Sequence, residues 1–168
     1  MLRELLQELG IPDDYGRDTE LPLFEEAGDL VDVGPNLVGR MQRLRPRAAA
    51  RWQAMVEAAA GDEIQLLIVS GFRSVEYQAA LIRKKIEAGQ VIEDILKVNT
   101  APGYSEHHTG RAVDIATPGS RPLTEDFDAT ETFRWLESRA AEFGFSMTYP
   151  RGNCWGITYE PWHWSMKG

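Results

Sequence analysis

Cysteine is nearly absent from this chain: Cys154 is the only one. An internal disulfide framework is therefore excluded, and packing must hold the fold. Histidine is scarce too, with three in 168 residues. Positive charge is the minority sign, with 18 lysines and arginines against 26 aspartates and glutamates, a formal net charge of −8. That balance argues against a nucleic-acid phosphate binder and against adhesion to an anionic membrane surface. No apolar run approaches the roughly 20 residues of a membrane span. The N-terminal "MLRELLQELGIPDDYG" is interrupted by Glu4, Gln7 and Glu8, which breaks the apolar stretch that a secretory signal requires. As written, the chain reads as cytoplasmic. A periplasmic or cell-wall location is expected if a leader is missing or release is non-classical.

What is present suits one ordinary domain. The apolar fraction is 43% and charged residues make up 26%, a globular balance. A chain of this length buries roughly 70% of its unfolded surface and needs no staple. Residues 1–9 have helical spacing. Residues 10–35 are rich in Gly, Pro and Asp and read as a wrapping loop of the same domain. From Asn36 to Ala60, a stripe of Leu37, Met41, Leu44, Ala48, Trp52 and Met55 predicts a helix that Pro46 kinks or splits. The run "IQLLIVSGF" predicts a buried strand at about 64–70, and Ser74 caps a helix to about Ala88. "RAVDIA" alternates as a strand. "DATETFRWLESRAAEFG" predicts a helix with a capping box of Asp128 and Glu131 that stops at Gly144. "FSMTY" and "WHWSM" read as short final strands. The irregular order of helices and strands favours α+β, with residues 36–168 as a single main domain.

Three segments could carry chemistry. In "YSEHHTGRAVDIA", residues 112, 114 and 116 share one strand face, leaving Asp114 between two alanines, while Val113 and Ile115 face the other way. Gly110 allows a sharp turn that could bring an upstream histidine back toward Asp114. In "YEPWHWSM", Glu160 and His163 fall on opposite faces of a straight strand, so they share a site only if the chain bends, and Pro161 is a place for it. Two histidines and an aspartate would hold zinc with its fourth position open. A nearby carboxylate that is not a ligand would remove a proton from water. In "SGFRSVEYQ", Arg73 stands at a strand-to-helix junction with Gln78 five residues on, where a cation could stabilise an oxyanion or hold a carboxylate. Each segment alone also fits an ordinary surface or core role.

Taken in order, the three resemble the zinc D-alanyl-D-alanine carboxypeptidases of the vancomycin-resistance type and their dipeptidase and L,D-carboxypeptidase relatives. The family segment Ser-x-His-x-x-Gly-x-Ala-x-Asp is matched by Ser105, His107, Gly110, Ala112 and Asp114. Its Glu-x-x-His is matched by Glu160 and His163 in the Glu-Pro-Trp-His form. Its Gly-[Phe/Tyr]-Arg-Ser segment and later Gln are matched by Gly71, Phe72, Arg73, Ser74 and Gln78. "EFGFSMTYP" resembles the family's Phe-Gly-Phe strand. The resemblance covers about residues 64–166 and leaves the N-terminal third unplaced.

It implies the α+β fold shared with the hedgehog signalling domain, a small central antiparallel sheet carrying a zinc site with helices packed against it. It implies one zinc ion on His107, Asp114 and His163, with Glu160 as general base and Arg73 on the scissile carbonyl and oxyanion. Ser105 and Gln78 would help bind the substrate's terminal carboxylate. Tyr104, Trp162 and Trp164 would shape the pocket, and His108 would be structural. The implied activity is removal of the terminal D-alanine from peptidoglycan stem peptides or D-Ala-D-Ala precursors by a monomeric enzyme. The alternatives are an L,D-carboxypeptidase, a D,D-dipeptidase, a phage-type peptidoglycan endopeptidase, or a non-catalytic zinc-containing binding module.

Overall fold

The computed structural model describes residues 1–168. The elements are α1 (Leu2–Glu8), β1 (Val31–Pro35), β2 (Met41–Leu44), α2 (Pro46–Gly61), β3 (Leu67–Ser70), α3 (Val75–Glu87) and α4 (Ile92–Val98). They continue with β4 (Ala112–Ala116), α5 (Glu131–Arg139), β5 (Phe145–Met147) and β6 (His163–Met166). This is the expected α+β architecture. β1 and β2 form an antiparallel hairpin, and a four-stranded antiparallel sheet runs in the order β3-β4-β6-β5.

The central sheet separates packing from chemistry. Val113 and Ile115 on β4, with Trp164 and Met166 on β6, point into the main core against Trp52 and Met55 of α2 and Leu136 of α5. Burial of each such aliphatic side chain contributes about 1.5–3 kcal/mol. On α2 the buried residues Ala48, Trp52, Met55 and Ala59 recur at helical spacing. The alternate residues of β4 and β6 face the other way. That face is covered as well, so all five residues of β4 are buried. A second core holds Leu9 and Ile11 of the N-terminal segment against Ala79, Ile82 and Ile95 of α3 and α4.

Ser74 caps α3, its hydroxyl accepting from the Tyr77 amide. Two sequence expectations are corrected. The stripe from Asn36 to Ala60 is not one helix: its first part is the hairpin turn and β2, and Pro46 opens α2 at the first turn. A proline there loses no hydrogen bond, because the first-turn amides are unpaired anyway. α5 is capped by the Thr130 hydroxyl, which accepts from the Phe133 amide, rather than by Asp128. The helix then tightens into a 3-10 turn that ends at Gly144 with φ +86°.

The segment after β3 is tied to its surroundings through main chain. The Phe72 amide donates to the Arg43 carbonyl at 2.9 Å, and the Arg73 amide donates to the His107 carbonyl at 3.1 Å. The Gly71 amide donates to Gln42 Oε1 at 2.8 Å. A Cβ on Gly71 would stand 2.8 Å from the Arg43 carbonyl oxygen. Gly71→Ala is therefore expected to cost about 1–3 kcal/mol by overpacking. Thermal denaturation should show a midpoint lowered by about 2–4 °C per kcal/mol. An unchanged midpoint would mean that β2 gives way freely.

Candidate metal and catalytic site

The site is built by strand register. On the central sheet, Ser70 of β3 lies opposite Asp114 of β4, and Asp114 lies opposite His163 of β6. Directly opposed residues project to the same face. The Asp114 carboxylate thus meets His163 Nδ1 at 3.1 Å. His107 arrives from the 3-10 turn Glu106–Thr109, which ends at Gly110 in the left-handed region at φ +69°. A Cβ on Gly110 would sit 3.0–3.2 Å from Leu30, Arg45 and Ala27. Glycine is required there by conformation and by space. The turn returns His107 Nε2 to 3.1 Å from Asp114 Oδ1. One ligand atom from each of His107, Asp114 and His163 lies within 4.8 Å of the others, and all three residues are buried.

The hydrogen bonds fix which atoms face inward. His107 Nδ1 is 2.7 Å from the Gly71 carbonyl oxygen, which can only accept, so Nδ1 carries the proton and Nε2 presents a lone pair. His163 Nε2 lies 2.8 Å from Glu106 Oε1, which leaves Nδ1 for the centre. Burial, with the nearby Arg73 cation, holds His107 down at about 4, so it is neutral. Burial also disfavours charge on His163, but its bonds to Asp114 and Glu106 outweigh this and hold it up at about 10. A cation is therefore demanded at the point where the lone pairs and the carboxylate converge. Zinc would supply it, with nitrogen and oxygen ligands of its usual kind.

Glu106 supports this centre. It is buried, bonded to His163 and to Ser165 Oγ at 3.1 Å, and 3.6 Å from the Lys167 ammonium. Burial raises a carboxyl's pKa, but the His163 hydrogen bond and charge prevail and hold Glu106 at about 2. A carboxylate of this kind fixes a ligand histidine's orientation and raises its basicity. Sequence reading missed it, since Glu106 adjoins His107 in the chain but serves His163 instead.

The remaining residues line or brace a cleft of about 350 Å³. The bend before β6 is present: the His163 amide donates to the Glu160 carbonyl at 3.2 Å across Pro161. It brings Glu160 to 3.9 Å from His163 Nδ1, on the cleft wall. Burial, with the neighbouring Asp114 charge adding to it, pushes Glu160 up to about 7. That value suits a group that must both take and return a proton near neutrality. Arg73 Nη1 lies 3.6 Å from Asp114 Oδ2 and 3.1 Å from Ser70 Oγ. Ser105 and Trp162 line the cleft, and Tyr149, which the sequence did not single out, lines it beside His163 with ring centroids 4.9 Å apart.

Two expected substrate contacts lie elsewhere. Gln78 is fully buried; its Oε1 accepts from Arg73 Nε at 3.1 Å and its Nε2 donates to the Thr100 carbonyl at 2.8 Å. It braces Arg73 and does not line the cleft. Tyr104 packs edge-on against Tyr15 at 5.0 Å, beside the second core. Trp164 is a core residue whose Nε1 donates to the Pro161 carbonyl. His108 is structural and fully buried, with Nδ1 2.6 Å from the Arg73 carbonyl and Nε2 accepting from the Gly103 amide at 3.0 Å.

His107→Ala is expected to abolish stoichiometric zinc binding, whereas His108→Ala keeps the three ligands and most of the binding. Glu106→Ala should weaken zinc about 10–100-fold by freeing His163. Competition against a chromophoric chelator checks all three variants. Undiminished affinity in Glu106→Ala would show that packing alone orients His163.

A family model described as VanY, D-alanyl-D-alanine carboxypeptidase, matches residues 41–168. YodJ of Bacillus subtilis (strain 168) is 34% identical over 159 residues, covering 88% of this chain and 56% of that protein. The chain thus spans about half the length of the first curated relatives it matches, 56% and 53%. The solved LdcB LD-carboxypeptidase superposes with a TM-score of 0.76 at 30% identity, over 88% of this chain and 72% of that one. A variant of the vancomycin-resistance D,D-pentapeptidase VanY, solved with Zn(II), superposes at 0.65 with 26% identity, over 89% of both chains. The matched span begins at β2 and takes in every residue of the buried triad, and the chain belongs to the VanY D-alanyl-D-alanine carboxypeptidase family.

Proposed function

We propose that this protein is a zinc-dependent carboxypeptidase that removes the terminal D-alanine from peptidoglycan stem peptides or their D-Ala-D-Ala precursors. The observation that carries the reading is Glu160 beside the triad: a buried carboxylate on the cleft wall, 3.9 Å from His163 Nδ1 yet outside the ligand set. Metal storage alone requires no such group. Arg73 across the same cleft supplies the positive charge that a hydrolytic site needs and a bare zinc module does not.

His107, Asp114 and His163 would hold the zinc, which when bound supplies a Lewis acid and a water of lowered pKa. Glu160 takes the proton from the attacking water and returns it to the leaving amine. Arg73, steadied by Ser70 and Gln78, stabilises the negative charge that develops on the scissile carbonyl oxygen. Ser105, Tyr149 and Trp162 enclose the substrate and limit bulk water.

The likeness to LdcB favours a second reading, an L,D-carboxypeptidase that uses the same zinc set on tetrapeptide ends. The purified, zinc-loaded protein is to be offered a pentapeptide ending in D-Ala-D-Ala and a tetrapeptide ending in a single D-alanine. Release of D-alanine from the first supports the leading reading, and release only from the second supports the L,D reading. Release from neither, with zinc confirmed bound, would sink both. Glu160→Ala is expected to retain zinc and lose most turnover, by about 10²–10⁴-fold for general acid–base catalysis. Unchanged turnover in that variant would remove Glu160 from the chemistry.

A further inference from the structure

We propose that the Lys85 ammonium, in the last turn of α3, is the anchor for a carboxylate of the substrate in the catalytic cleft. The proposal rests on the reading of this cleft as a peptidase site. Lys85 is half-buried and lines the same cleft as Arg73, His107 and Glu160. Its ammonium makes no ion pair and no hydrogen bond within the protein. Arg73, the other cation of the cleft, is already engaged by Asp114, Ser70 and Gln78.

The cleft's acidic groups, Glu106, Asp114 and Glu160, all belong to the metal centre. The lining on the α4 side, Val98, Asn99 and Thr100, is uncharged. Lys85 thus stands in a cleft whose anions are committed elsewhere. Burial, and then the Arg73 charge, push its pKa down. An entering carboxylate relieves both costs at once, since it pairs with the ammonium and screens one cation from the other.

A bland explanation exists: a lysine in a helix's last turn interacts favourably with the helix dipole. Lys84 meets that need from the exposed side of the same turn. Lys85 is the half-buried one of the two and lines the cleft.

The carboxylate has two possible sources, the free C-terminus of the peptide or an acidic side chain farther along it. Binding is to be measured calorimetrically in a zinc-loaded Glu160→Gln background, which keeps the peptides intact. Three ligands are compared: the D-Ala-D-Ala pentapeptide, its C-terminal amide, and the pentapeptide with its side-chain carboxylate amidated. In the Lys85 protein, the amide that removes the anchored group should bind at least about 10-fold more weakly, as for a lost charge-assisted bond. Lys85→Met should lose the same factor for the free acid and lose nothing further for that amide. The amide that shows this coupling identifies the source. Lys85→Arg should retain most of the affinity, which controls for damage to the fold, and circular dichroism melts of each variant check it directly.

Equal binding of the free acid by Lys85→Met and its parent would overturn the proposal. So would losses from amidation that are the same whether or not Lys85 is present. Should the Glu160→Gln protein bind none of the peptides and the wild-type protein cleave none, the peptidase reading falls and takes this proposal with it. Cleavage of the pentapeptide by the wild-type protein, with unchanged affinity in Lys85→Met, would overturn the anchor alone.

Discussion

A carboxylate buried at the centre of the sheet governs the rest of this structure. Asp114 is 4% exposed, and a buried charge costs several kcal/mol unless oppositely charged groups and hydrogen-bond donors surround it. The fold gathers that compensation from distant segments: Arg73 after β3, His107 from the turn before β4, and His163 from β6. Each is in turn held by a second partner. Gly71 takes the outer nitrogen of His107, Glu106 takes that of His163, and Gln78 takes Arg73. His108 closes the network by bonding the Arg73 carbonyl and the Gly103 amide. The hydrogen bonds that orient the site are thus also those that fasten its loops. Breaking a buried ion pair of this kind typically costs about 3–5 kcal/mol.

The N-terminal segment belongs to that scaffold. Its main chain runs over the turn that carries the histidines. The Phe24 amide donates to the Gly103 carbonyl at 2.8 Å, and the Ala27 amide donates to the His108 carbonyl at 2.9 Å. Arg45, just before α2, bonds the Thr109 carbonyl through Nε at 2.7 Å. A turn ending in a left-handed glycine would be mobile by itself. Here the His107, His108 and Thr109 carbonyls are claimed from outside, by Arg73, Ala27 and Arg45, which holds His107 in register with Asp114.

Whatever depended on local period was legible in the sequence. "RAVDIA" alternates, and the structure uses both faces as the alternation implies, Val113 and Ile115 for the core and Asp114 for the site. Ser74, Gly110 and Gly144 mark their boundaries by side-chain capping and left-handed backbone, which are properties of single residues. The hairpin was not legible, because Leu37, Met41 and Leu44 fall at spacings that a helix and a strand–turn–strand share. Only Pro46 marked the true start of α2. In the site, ligand identity and order were readable, whereas orientation was not. Gln78 follows Arg73 by five residues and turns inward to it, and Asp128 forgoes capping α5 to bond Tyr159 and Arg151. Those choices are set by tertiary packing, which no single sequence window records.

The division of labour in the cleft follows from the same geometry. The triad sits on paired strands and a turn that they lock, where small displacements are resisted by the ladder and by the core beneath it. The walls come from outside the sheet: the end of α3, the start of the loop after α4, Trp162 in the bend before β6, and Leu123. Leu123 is 48% exposed and held in the left-handed region at φ +58°, a backbone state that costs a leucine roughly 1–3 kcal/mol. Metal chemistry is indifferent to whether the residue beside the scissile bond is D or L, because the reacting carbonyl and amide are the same in both. Handedness changes only where the side chain points, so it is the walls that must read it. The sheet fixes the triad, and the walls around it can differ without disturbing those three side chains.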